Sequence, residues 1–149
     1  MAAIDDIKQL RQETGMSVTD IKRALEEADG DLQKTRELLR LRGAEIAKKK
    51  QERETGQGIV DVYLHSTGKT GVLLDLRSET DFVAKSPDFK VLAHELVLQI
   101  AAMDPDNVEE FLSQDYIKDP SKKVQNLLQE YIAKLGENIV VKRFVRYQI

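Results

Sequence analysis

The sequence predicts an α+β protein: an N-terminal three-helix module, a charged helical linker, and a small core of antiparallel sheet packed with helices. Three observations carry that expectation. Apolar residues recur at helical spacing through the first 43 residues, residues 44–56 are almost all charged or small, and beyond Gly56 the apolar period shortens to two. The chain is thus expected to divide into residues 1–43, 44–56 and 57–149. With 149 residues, 41% of them hydrophobic and 33% charged, it has the balance of a soluble globular protein.

Ile4, Ile7 and Leu10 mark the first helix, which Thr14-Gly15 interrupts. A second helix is expected from Ser17 or Val18, with Ile21, Ala24, Leu25 and Ala28 as its apolar stripe. Ser17 stands three residues before Asp20, a weaker version of the capping box. Asp29-Gly30-Asp31 stops that helix and offers Asp31 as the next N-cap. Leu32, Thr35, Leu38 and Leu39 then continue the pattern to Gly43. A module of this size buries little surface alone, so its expected task is to present a surface. Residues 44–55, AEIAKKKQERET, suit a solvated helical connector, with a basic contact patch at Lys48–Lys50 as the alternative.

In the core, Val60, Val62 and Leu64 alternate with Asp61, Tyr63 and His65, which predicts a strand whose buried face carries the aliphatic set. Ser66-Thr67-Gly68 makes a hairpin loop, and Val72, Leu74 and Leu76 form the returning strand with Asp75 and Arg77 outward. Ser86-Pro87 supplies an N-cap and a proline at the first helical position, opening a helix to about Met103. Its main stripe is Phe89, Leu92, Ala93, Leu96 and Ile100, with Val91 and Leu98 on another side. Asp104-Pro105 ends it, and Val108 to Leu112 leads to Asp119-Pro120. Val124, Leu127, Leu128, Tyr131, Ile132 and Leu135 define the last helix; Gly136 closes it, and residues 139–149 form a final strand.

Several function classes are disfavoured. A net charge of −3 gives no bulk attraction for nucleic acid, so the basic residues at Lys48–Lys50 and Lys142–Arg146 are the whole case for it. With no cysteine there is no disulfide, thiolate nucleophile or cysteine-based zinc site. The opening MAAIDDIKQLRQETG lacks a signal-peptide apolar core and no stretch is long enough to span a bilayer, so a cytoplasmic protein is expected. His65 and His94 have no metal-binding spacing, and no phosphate-cradling glycine motif is present. The chain does not read as an enzyme, and no metal or cofactor is expected. One connection stands out: Glu79-Thr80-Asp81-Phe82-Val83-Ala84-Lys85, between a strand and a helix. Phe82 there is either a core plug under the sheet, with Thr80 or Asp81 capping a helical turn, or an exposed apolar wedge marking a contact site.

At this segment the chain resembles elongation factor Ts. Thr80-Asp81-Phe82-Val83-Ala84 matches that family's Thr-Asp-Phe-Val-Ala signature. Leu10 to Gly15, Asp20 to Leu25 and Asp29-Gly30-Asp31 resemble its N-terminal module, and Lys134 to Ile139 matches a third motif, in the family's order. The resemblance implies a ubiquitin-associated-like fold for residues 1–43. It also implies guanine-nucleotide exchange: binding elongation factor Tu carrying GDP and promoting release by disturbing its magnesium and phosphate site. Thr80, Asp81, Phe82, Val83 and Ala84 would do this. Arg11, Val18, Thr19 and Lys22 would touch the partner's nucleotide domain, Val18 and Thr19 being departures from the methionine that members often carry. Leu135, Gly136, Glu137 and Asn138 would support the same face. Longer members have a doubled core, whereas this chain has room for one, so a homodimer is the expected replacement; Val91 and Leu98 would suit its interface, or equally a sheet above and a neighbouring helix below. The competing reading is a non-exchange binding module built on the three-helix domain.

Overall fold

The computed structural model describes residues 4–149. Three helices open the chain: α1 (Ile4–Thr14), α2 (Val18–Glu27) and α3 (Leu32–Lys50). The antiparallel strands β1 (Gln57–Leu64) and β2 (Thr70–Ser78) follow, then the single turn α4 (Asp81–Ala84) and the long helix α5 (Pro87–Met103). The rest is α6 (Val108–Ser113), the short hairpin β3 (Asp115–Tyr116) and β4 (Asp119–Lys123), α7 (Val124–Leu135) and β5 (Ile139–Gln148). The main sheet has the order β1-β2-β5 with both pairings antiparallel, so the architecture is α+β as expected.

The caps form where the residues called for them. Ser17 Oγ accepts from the Asp20 amide at 3.1 Å, Asp31 accepts from Gln33 and Lys34 at 2.9 and 3.2 Å, and Ser86 Oγ accepts from the Phe89 amide at 3.2 Å. Each supplies an acceptor to an amide that has no intrahelical partner. Gly136 ends α7 in the left-handed conformation at φ +77°.

The third helix and the helical connector expected after Gly43 are one element, with α3 running unbroken through Gly43 to Lys50. Gly43 and Ala47 are buried, and an added Cβ at Gly43 would lie 3.5 Å from Ala133 on α7. Residues 44–50 thus include a packed face as well as exposed Lys48 and Lys49. Gly15 (φ +67°) fixes the other contact of the helical module, since a Cβ there would fall 2.9 Å from the Lys134 Cα. The module has its own core of Leu10, Met16, Ile21, Ala24, Leu25 and Leu39, with Ile46 and Ala133 packed against it.

The larger core lies between the sheet and α5 with α7. Phe89, Leu92, Ala93, Leu96 and Ile100 are fully buried on α5, and Val72, Leu74 and Leu76 meet them from β2. Strand β1 corrects the expectation for its faces. Val60, Val62 and Leu64 are 68, 59 and 70% exposed, while Ile59 and Tyr63 pack on the core. Register explains this: Ile59 pairs with Leu76 and Tyr63 with Val72, so they share the side of β2 that α5 covers. Asp75 lies on the outer side as expected but is only 7% exposed, held between the guanidinium groups of Arg77 and Arg143. The Arg77 hydrogen bonds, helped by Arg143, keep its carboxyl below the usual carboxylate range despite burial.

Candidate functional site

A helix of four residues has no stability of its own, so α4 exists because its surroundings hold it. Thr80 is the N-cap: its hydroxyl accepts from the Val83 amide at 3.3 Å. Val83 and Ala84 turn inward and are buried, and Ser86 Oγ donates to the Val83 carbonyl at 2.7 Å. With those two side chains inside, Phe82 points out and is 85% exposed. Phe82 is therefore exposed rather than a plug under the sheet, while the cap that went with the plug reading does form, at Thr80. Asp81 beside it pairs with Lys85 at 2.8 Å, and this contact raises the Lys85 ammonium above its ordinary pKa. Both partners are well exposed, so the pair contributes little to stability.

The turn is clasped from the far end of the chain. Glu137 accepts from the Thr80 amide at 3.0 Å with one carboxylate oxygen and from the Thr80 hydroxyl at 2.7 Å with the other. Reciprocally, the Asn138 amide donates to Glu79 at 2.7 Å. The Asn138 side chain, 4% exposed, donates to the carbonyls of Arg53 at 3.0 Å and Gln51 at 3.4 Å, just past the end of α3. Lys50 Nζ donates to the Gly136 carbonyl at 3.0 Å. Leu135 is half-buried against the larger core. Lys50 and Glu79 also belong to this site, as do Gln51 and Arg53, which no sequence pattern singled out.

On the helical module, Arg11, Thr19 and Lys22 are exposed and Val18 is half-buried, on α1 and the first half of α2. Two open grooves lie elsewhere. The larger, about 710 Å³, separates α1 and α3 from α7 and β4, and within it Arg36 pairs with Glu13 and Lys122 with Glu130, each at 3.0 Å. The smaller, about 450 Å³, is lined by Tyr63, Leu98, Ala102 and Ile117. At its base Tyr116 donates to Glu95 at 2.9 Å, and burial together with that carboxylate raises the phenol's pKa. Among the described residues no group of three or more His, Asp or Glu side chains is placed to hold a metal ion, and no helix is long and apolar enough to cross a membrane.

The family model described as elongation factor TS matches residues 79–149, a span that begins at the clasp and contains the exposed phenylalanine. Elongation factor Ts of Rubrobacter xylanophilus is 38% identical, with 98% of each chain covered. The elongation factor Ts of Thermotoga maritima is 40% identical over 99% of this chain and 96% of its own, and that of Coprothermobacter proteolyticus is 38% identical over 96 and 95%. The chain belongs to the elongation factor Ts family. The alignment with the Thermotoga maritima relative runs over 190 positions against 149 residues here, so some forty positions of that elongation factor Ts have no counterpart in this chain.

In this member of the elongation factor Ts family the outer face of the sheet carries exposed apolar side chains. Val62 pairs with Leu73 and Leu73 with Val145, while Leu64 and Tyr147 flank Gly71. Leu73 is 46% and Tyr147 74% exposed, which joins them to the exposed row on β1. Val91 on α5 is 50% exposed, whereas Leu98 is half-buried in the smaller groove.

Proposed function

We propose that this chain is a translation elongation factor acting as the guanine-nucleotide exchange factor of elongation factor Tu in the cytoplasm. It acts by binding rather than by covalent chemistry, without a cofactor and without direct contact to nucleic acid or membrane. The observation that carries the reading is Phe82, a large apolar side chain displayed to solvent on a turn that is itself capped, buried behind and clasped. An exposed phenylalanine on a rigid mount is costly to keep in water and suited to insertion into a partner. In this reading Thr80, Asp81, Phe82, Val83 and Ala84 form the element that disturbs the partner's magnesium and phosphate site, with Asp81 and Phe82 at its tip. Arg11, Val18, Thr19 and Lys22 dock on the partner's nucleotide domain, and Leu135, Gly136, Glu137 and Asn138 support the same face from behind. Residues 1–43 act as a ubiquitin-associated-like module, 44–56 as the charged linker and 57–149 as the core domain.

Stopped-flow release of fluorescent GDP from elongation factor Tu, chased with excess unlabelled GDP, tests this. Release should accelerate in proportion to added factor and then saturate. A cognate elongation factor Tu whose GDP release is unchanged at any concentration of the chain would overturn the exchange reading.

The same reading includes a homodimer that stands in for a second core. The exposed row Val60, Val62, Leu64, Leu73 and Tyr147 favours the outer sheet face as its interface over Val91 and Leu98. Sedimentation equilibrium at micromolar concentration should report a dimer, and Val62→Asp, which places a charge at the middle of that row, should shift it to monomer. A wild-type chain that stays monomeric into the high micromolar range sinks the dimer.

A further inference from the structure

We infer that Glu137 is a positioning residue for the exchange element, acting through Thr80 rather than by touching the partner, an inference that rests on the exchange reading of Phe82. Both oxygens of its carboxylate are engaged within the chain, one by the Thr80 amide and one by the Thr80 hydroxyl. The hydroxyl has one proton. Donating it to Glu137 at 2.7 Å turns a lone pair toward the Val83 amide, which it caps at 3.3 Å. The carboxylate therefore sets the direction of the hydroxyl, the hydroxyl sets the first turn of α4, and Phe82 stands on that turn.

Glu137 and Asn138 follow α7, and Asn138 ties the same clasp to the residues just beyond α3 through the Arg53 and Gln51 carbonyls. Lys50 closes the ring on the Gly136 carbonyl. The helical module and the Phe82 turn are thus referenced to one short segment. A contact that must reach two places on a partner at once needs its two ends held at a fixed offset, because freedom in either lowers the effective concentration of the second contact.

Glu137→Ala removes both acceptors from Thr80, and Glu137→Gln keeps a single acceptor oxygen. GDP release at saturating factor should fall about tenfold in Glu137→Ala and less in Glu137→Gln, with the half-saturating concentration unchanged. In the Phe82→Ala background, Glu137→Ala should add no further loss, because both act through one side chain. Amide hydrogen exchange of the free protein should show Thr80 and Val83 losing protection in Glu137→Ala while α5 keeps its own. Losses that multiply in the double variant, or that appear as a raised half-saturating concentration, would assign Glu137 to a direct partner contact and overturn the inference. Unchanged protection at Thr80 and Val83 would overturn it on the free protein alone. If the wild-type chain fails to accelerate release, the exchange reading falls while the amide readout still decides the positioning role.

Discussion

Phe82→Ala is expected to lower the acceleration of GDP release about ten- to hundredfold while shifting the melting temperature by no more than about 2 °C. The two halves have one origin. At 85% exposure Phe82 makes almost no contact within its own chain, so truncation removes little from the folded state, about 0.5 kcal/mol or less. Whatever the side chain contributes must be realised against a partner. Burying a phenylalanine contributes roughly 1.5–3 kcal/mol. By linkage, that energy promotes release only so far as it is gained in the nucleotide-free complex and not in the GDP complex. Phe82→Leu keeps most of the apolar area and should retain much of the rate. Full acceleration by Phe82→Ala would leave the exchange function standing and move its trigger elsewhere, and a large fall in melting temperature would mean that Phe82 supports the fold after all.

Local chemistry made most of the elements legible. Ser17, Asp31 and Ser86 cap helices because short polar side chains placed just ahead of an apolar stripe have few better uses. Gly43 misled because a glycine ends a helix only where the chain needs the left-handed conformation; here α3 keeps its helical path, and a Cβ at this position would meet Ala133 at an ordinary contact distance of 3.5 Å. The hairpin β3–β4 carried no signal, since Asp119-Pro120-Ser121-Lys122-Lys123 has no apolar alternation. It is held instead by Gln99 of α5, which donates to the Asp115 carbonyl and accepts from the Ile117 amide, each at 3.0 Å.

Strand β1 shows a deeper limit. Its alternation identified a strand, and the aliphatic set Val60, Val62 and Leu64 looked like the inner face. Periodicity reports which residues share a side, but pairing decides which side is covered. The hairpin register put Ile59 and Tyr63 across from Leu76 and Val72, and the larger aliphatic set went to the outside. The site divides similarly. The signature around Phe82 was conspicuous, but whether Phe82 pointed in or out depended on Val83 and Ala84 taking the inner positions. The clasp joins residues 57 and 87 positions apart, distances at which no local pattern speaks.

Phe89→Ala should give the opposite result: a loss of about 3–5 kcal/mol in stability with little change in exchange per folded molecule. Phe89 lies seven positions beyond Phe82, in the first turn of α5, and has no exposed surface. It is one of the two largest fully buried side chains, with Phe111 the other. Truncation there removes transfer energy and leaves a void that a core of Leu74, Leu76, Leu92 and Leu96 closes only in part. Total stabilities of single domains are about 5–15 kcal/mol, so one substitution consumes a large share. The melting temperature, followed by circular dichroism, should fall by about 6–20 °C. Exchange measured well below that transition should stay within a fewfold of wild type, because Phe82, Thr80 and Glu137 keep their relations in molecules that remain folded. A Phe89→Ala protein that melts normally would contradict the burial assignment. One that melts early and also loses exchange when fully folded would mean that packing beneath α5 sets the angle of the Phe82 turn, with the clasp at Glu137 insufficient to hold it.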